Sequence, residues 1–201
     1  METLLETVHG SHLYGLNHAN SDLDTYRVVA GLKRGRQNID NENNDVVRVP
    51  LGKFMVMTDA GSPQALEAMF SPYSHGSLKA FADMYYVNPG NMARTYLRTL
   101  TNFARLGIMD LEAKSMVPLF EESGHRKNLR EGFRAKKPRR VERNGMAKYR
   151  RHSVRLLLNL TTAMDYGRFN PKLTASEIEI VMKVSHLDDY SFAEYMVSKL
   201  G

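Results

Sequence analysis

Cysteine is absent from the 201-residue chain, which excludes disulfides and thiolate metal sites. A reducing compartment is compatible with that lack. No apolar run approaches the roughly 20 residues that span a bilayer. The opening METLLETVHG lacks a basic segment followed by an apolar one, so no signal peptide is read. A soluble cytoplasmic protein, away from membranes, is the expectation. Walker A, dinucleotide-binding and kinase Gly-rich loops are all missing, which argues against P-loop, Rossmann and kinase readings. Internal repeats and low-complexity tracts are missing too.

The charge is uneven. Residues 126–151 hold twelve Lys and Arg against Glu131 and Glu142, a local charge of +10 within a total of +6. Two readings stand: a polyanionic partner, RNA or DNA first, or a solvated loop or helix face.

Strand signals come first. Residues 3–9 alternate and stop at Gly10-Ser11, residues 23–30 carry Tyr26, Val28 and Val29, and residues 46–49 end at Pro50. The intervening stretches are too short for a crossover helix, so a small mixed or antiparallel sheet is expected. Helical spacing follows. Leu51, Phe54, Met55 and Thr58 share a face, and Ser62 with Pro63 reads as N-cap and first turn of a helix over 64–70. Further helices are expected over 77–86, 92–106, 111–120, 146–166, 176–184 and 191–200, with Gly107 and Gly167 as stops. Met146, Tyr149, Val154, Leu157, Leu158, Thr161 and Met164 form the expected buried stripe of the longest. Strands first and helices after predict an α+β fold: a small mixed sheet and a helical C-terminal half. The expected domains are a core over 1–88 and a helical region over 89–201 that contains the basic segment.

The chemistry concentrates in Gly10-Ser11-His12-Leu13-Tyr14-Gly15 and Ser21-Asp22-Leu23-Asp24. On a strand, Asp22 and Asp24 point to one face about 7 Å apart. Such hard oxygen donors suit Mg²⁺ or Mn²⁺. A Gly-Ser turn can offer N–H groups and a hydroxyl to phosphate oxygens. Together these suit phosphoryl or nucleotidyl transfer. A lone Asp-x-Asp, however, is frequent by chance and is usually a solvated turn.

Gly-Ser, a spacer, then Ser-Asp-x-Asp and Tyr-Arg-Val-Val resembles the signature of DNA polymerase β-type nucleotidyltransferases. GSHLYGLNHANSDLDTYRVV is most similar to the predicted bacterial and phage members found beside RNA-repair enzymes. VPLGKFMVM, SPQALEAMFSP and the helix Met146-Ala147-Lys148-Tyr149-Arg150-Arg151-His152-Ser153-Val154-Arg155-Leu156-Leu157 extend the likeness. It is dense over 9–72, returns over 145–171 and is thin between. Ser62-Pro63 departs from the group's usual Asn-Pro.

The resemblance implies that Gly10 and Ser11 hold the phosphates of a nucleoside triphosphate, ATP among the candidates. It implies that Asp22 and Asp24 ligate the ions, two in number. It also implies a third carboxylate that ligates the second ion and activates the acceptor hydroxyl. Asp45 is the choice, ahead of Asp40 and Glu42. Lys148, His152, Arg155 and Asn159 share a helix face, which either closes over the triphosphate or is simply solvated. Glu67 either orders the site or is an exposed helical Glu. His12 either touches phosphate or belongs to the loop, and Tyr14 is expected to pack under the turn. The other histidines, His9 among them, show no metal-ligand spacing.

The expected activity is metal-dependent transfer of a nucleoside monophosphate to a hydroxyl, with an RNA end favoured through residues 126–151. The alternative is a non-catalytic nucleic-acid-binding protein that retains the fold. A toxin or antitoxin-like protein that nucleotidylates protein or tRNA is a third, weaker reading.

Overall fold

The computed structural model describes the chain except residues 33, 34, 36, 42, 43, 83, 86, 107–142, 168 and 201. Four strands, β1 (Thr3–His9), β2 (Asp24–Val29), β3 (Gln37–Asn41) and β4 (Asn44–Pro50), form one sheet in the order β1-β2-β4-β3. The outer pairs are antiparallel and the central pair β2/β4 is parallel. Parallel neighbours ordinarily need a helical crossover. Here the chain passes through the edge strand β3 and returns as β4 beside β2. The sheet is therefore mixed, in an α+β fold.

The helices are α1 (Gly10–Tyr14), α2 (Leu51–Asp59), α3 (Pro63–Phe70), α4 (Lys79–Ala82), α5 (Pro89–Leu106), α6 (Arg143–Tyr166), α7 (Ala175–Ser185) and α8 (Asp189–Leu200). None of the described helices is long and apolar enough to cross a membrane. The helix expected over 111–120, the stop at Gly107 and most of the basic segment lie outside the described residues.

The chain divides into two compact units. The first comprises residues 1–99 and 155–179 and contains the sheet. Register sets its core. Leu5 and Thr7 face Val28 and Tyr26, which in turn face Val49 and Val47. Leu5, Tyr26, Val28 and Val49 pack with Phe54 of α2 and with Ala65, Ala68 and Met69 of α3. Fully burying a side chain of this size contributes roughly 1.5–3 kcal/mol. The free edge of β1 is covered by residues 75–78: Glu6 and His75 exchange backbone hydrogen bonds, and the Leu78 N–H donates to Leu4. That covering removes an unpaired strand edge. It also sets the start of α4 (Lys79–Ala82) later than the expected helix over 77–86, since this approach occupies the residues before Lys79.

Ser62 stands at the N-cap of α3, but its side chain makes no capping bond. Its carbonyl instead accepts from Ala65 and Leu66, while its N–H donates to Met57 and ties α3 to α2. Gly61 in this link has φ +70°, and a Cβ there would meet the Met92 backbone at 2.6 Å.

The second unit comprises residues 100–154 and 180–201. Its described part buries Leu100, Val154, Val181, Phe192 and Met196. Phe103 stacks on Tyr149 and His152, with ring centroids 6.2 and 5.1 Å apart. Arg150, at the end of the basic run, is buried: it donates to the Leu187 carbonyl and Asp189 carboxylate, and lies 5.0 Å over the Phe192 ring. At this position a cation of the basic stretch serves the fold.

The longest helix departs from its expected single stripe. Val154 and Leu157 are buried, but Thr161 and Met164 are exposed, and Ser153, Arg155 and Asn159 are buried. A helix buried around most of its circumference has no one apolar face, so a period read from hydrophobic residues alone misplaces its polar ones.

Phe54→Ala is expected to cost about 3–5 kcal/mol, a core truncation. Val56→Ala, on the exposed side of the same helix, is expected to stay within about 0.5 kcal/mol. Urea unfolding of the two variants measures the difference.

Candidate functional site

The sheet face that packs the core is apolar at one end and ionisable at the other. Along β2 it runs Val28, Tyr26, Asp24, from full burial to partial exposure. His9 of β1 lies opposite Asp24. Thr25 of β2 lies opposite Val46 of β4, so the same parallel register, one residue earlier, sets Asp45 beside Asp24. Asp40 of β3 is in turn opposite Asp45. In-register neighbours project from the same face, roughly 4.8 Å apart between strands. His9, Asp24 and Asp45 thus form a row across three strands.

Asp22 is not part of that row. β2 begins at Asp24, and Asp22 is exposed in the preceding loop. The loop is shaped locally: Ser21 Oγ accepts from the His18 N–H at 2.9 Å, and Ser21 N–H donates to the His18 carbonyl. His12 of α1 lies 3.2 Å from the Ser21 carbonyl, so its ring nitrogen there is the donor. His12 therefore ties α1 to the loop that carries Asp22.

The first turn of α1, which follows β1 directly and begins with Gly10-Ser11, lies against the acidic row. Gly10 has φ +65°, and a Cβ on it would meet Asp24 Oδ2 at 2.0 Å. Only glycine combines that backbone with so close a carboxylate. Ser11 follows in the first turn of α1, where backbone N–H groups lack intrahelical acceptors. Gly15 ends the helix in the left-handed region and donates to the Ser11 carbonyl.

Beneath the turn lies a buried polar cluster. Glu67 of α3 is 1% exposed. Its Oε1 accepts from Arg155 Nη1 at 2.5 Å. Its Oε2 accepts from the Tyr14 hydroxyl at 2.6 Å and lies 3.4 Å from His9 Nε2. Arg155 also donates to Asn159, and its guanidinium sits 3.7 Å over the Tyr14 ring. Burial alone would raise the Glu67 pKa, but Arg155, with His9 and Tyr14, outweighs it and lowers the value to about 2. Burial likewise disfavours charge on Arg155, and Glu67 more than compensates, raising its pKa. Burial pushes the Tyr14 phenol well above its ordinary value, opposed by Arg155 and reinforced by Glu67. Glu67 and Arg155 are thus ionised and Tyr14 is a neutral donor.

The structure brings Gly10, Ser11 and Asp24 together, and sets Asp45 in register with them. The Arg155 charge is met by Glu67 inside the same unit. Lys148, which is exposed, and His152, stacked on Phe103, belong to the second unit. Glu42 lies outside the described residues. Among the described residues no three Asp, Glu, His or Cys side chains are gathered into a cage. Asp24 and Asp45 are the adjacent oxygen donors that could hold a hard cation. Mg²⁺ is ordinarily bound by one or two carboxylates, completed by waters and phosphate oxygens, so the donor set fits it.

Two features escape sequence reasoning: the burial of Glu67 and the place of His9. For Glu67 a signal existed. Its helix, Pro-Gln-Ala-Leu-Glu-Ala-Met-Phe, is apolar at Ala65, Leu66, Ala68, Met69 and Phe70 and carries only Gln64 as a further polar residue, so a carboxylate there is a candidate for burial beside a cation.

The chain matches the family profile described as "RNA repair pathway DNA polymerase beta family" over residues 1–190, and it belongs to that family. No curated protein matches the chain significantly.

Because the Glu67 pKa falls from 4.5 to about 2 on folding, its ionisation stabilises the fold fully above pH 4.5. That contribution is lost as pH falls towards 2. Glu67→Gln is expected to cost about 3–5 kcal/mol at neutral pH by stranding a buried guanidinium. It should also flatten the stability profile between those limits. Urea midpoints for both proteins across pH 2–7, taken as roughly the range of the shift, measure both effects.

Proposed function

We propose that this member of the family is a metal-dependent nucleotidyltransferase that moves a nucleoside monophosphate from a triphosphate to a hydroxyl acceptor. The observation that carries the reading is the close fit of Gly10 against the Asp24 carboxylate. It brings a phosphate-binding type of turn beside an acidic strand end. Family membership supports the same chemistry.

Asp24 and Asp45 would hold Mg²⁺ or Mn²⁺, with Asp22 of the preceding loop proposed as a further ligand and two ions in the full arrangement. Bound there, the metal would supply positive charge that neutralises the phosphates and acidifies a hydroxyl. The chain's own groups do the rest. The Ser11 hydroxyl and the N–H groups of the turn bind the β- and γ-phosphates of the nucleotide. The acceptor hydroxyl loses its proton to Asp45, the proposed base. Its oxygen forms a bond to the α-phosphorus, the bond from that phosphorus to the β-bridging oxygen breaks, and pyrophosphate leaves. Arg155, its charge met by Glu67 within the same unit, is proposed to act through the protein scaffold rather than on the nucleotide.

The proposed acceptor is an RNA end, held by residues 126–151 through phosphate neutralisation. The surroundings are proposed to be cytoplasmic. A second reading, a nucleic-acid-binding protein without catalysis, draws on the local charge of +10 over residues 126–151.

Incubation with each α-labelled NTP, Mg²⁺ or Mn²⁺, and RNA, DNA or protein is expected to label one acceptor. Asp24→Ala should reduce the signal at least about 100-fold, the scale of losing charge stabilisation in the transition state. Asp45→Ala should abolish transfer yet leave triphosphate binding measurable. Salt-sensitive RNA binding without metal-dependent nucleotide binding would favour the second reading.

A further inference from the structure

The two oxygens of Glu67 have separate partners. Oε1 meets Arg155, and Oε2 meets both Tyr14 and His9. Those last two residues flank the Gly10-Ser11 turn, one ending β1 and the other ending α1. One buried carboxylate therefore accepts a hydrogen bond from Tyr14 on one side and lies in contact with His9, which does not hydrogen-bond to it, on the other. Arg155 fixes that carboxylate, donates to Asn159, and covers the Tyr14 ring. Asn159 in turn donates to the Asn170 carbonyl at 3.0 Å. The anchor thus runs from α3 through α6 to the segment after it, all within the first unit.

The turn needs such an anchor. Gly10 adopts a conformation that glycine enters freely and also leaves freely. Helix α1 has only five residues, too few to be stable by itself. The buried Leu13 and the His12 contact to Ser21 hold the helix to its neighbours, and the Tyr14–Glu67 bond adds direction at its C-terminal end.

We infer that Glu67 is a positioning residue, holding the Gly10-Ser11 turn at the Asp24 end of the sheet through its hydrogen bond to Tyr14, itself fixed under Arg155. The inference rests on the nucleotide reading proposed above and gives that site its support. Glu67 touches no reacting atom. It acts as outer groups do around a metal or phosphate site, where their loss costs roughly 10- to 100-fold in affinity or activity.

Tyr14→Phe is the cleanest probe. It removes one hydrogen bond to Glu67 and keeps both the ring under Arg155 and the ion pair. Hydrogen exchange of the intact protein, with and without Mg·ATP, is read beside Mg·ATP affinity. The expected result is faster exchange confined to residues 9–16, unchanged exchange in β2 and α2, and affinity weakened roughly 10-fold or more. Glu67→Gln should move the same peptide further. A merely structural role would raise exchange throughout the unit and leave the affinity of the folded fraction unchanged. That result, or exchange at 9–16 equal to wild type, overturns the inference. If the wild-type chain binds none of the four NTPs with Mg²⁺ or Mn²⁺, the nucleotide reading fails, and the positioning role falls with it.

Discussion

The ion pair between Glu67 and Arg155 is the constraint on which the site depends. Two charges without solvent are costly, and the low-dielectric interior repays the cost only with good geometry and further hydrogen bonds. Both conditions are met here. Arg155 reaches Glu67 and Asn159 and lies on an aromatic face, while Glu67 accepts from Tyr14 beside His9. An apolar replacement of similar volume could stabilise the protein equally well, so stability alone does not account for the pair. What the apolar version would lack is direction: hydrogen bonds fix angles, and hydrophobic contacts do not.

That direction matters because the neighbouring elements supply little of their own. The turn is short and left-handed at Gly10, and its helix has five residues. The sheet supplies the other half of the geometry. Register brings Asp24 and Asp45 to one row, and the change from apolar to ionisable along the same face separates core from chemistry. One sheet face thus both anchors α2 and α3 and offers carboxylates at its end.

Much of this was legible in the sequence. β1 was read with its observed limits, because alternating residues run straight into Gly10-Ser11. β2 and β4 were found but shortened or lengthened at their ends. β3 was missed because Gln37–Asn41 is polar, with only Ile39 to mark a period; backbone pairing to β4 makes it a strand. Asp45 opens the strand expected at 46–49 and for that reason is preferred to Asp40 and Glu42, which precede it. The structure sets Asp45 on β4 beside Asp24 and Asp40 on the outer strand. Asp22 and Asp24 were expected on one strand face, whereas the strand starts too late to include Asp22. The motif at Gly10 was visible, but its tight approach to Asp24 was not, because no local pattern encodes a contact between separate strands. Arg155 and Glu67 are far apart in sequence, and neither periodicity nor spacing could pair them. Helical spacing marks the helix carrying Arg155, and the resemblance adds to it, but neither shows the burial that turns its charge inward.

The Gly10-Ser11 turn and the acidic strand ends are proposed as one metal-nucleotide site. A crystal structure with Mn²⁺ and a non-hydrolysable triphosphate, with anomalous scattering to locate the ion, tests this. Mn²⁺ is expected at Asp24 and Asp45, with the terminal phosphates against Ser11 and the turn. A triphosphate bound elsewhere, or an ion that avoids both carboxylates, overturns the proposal.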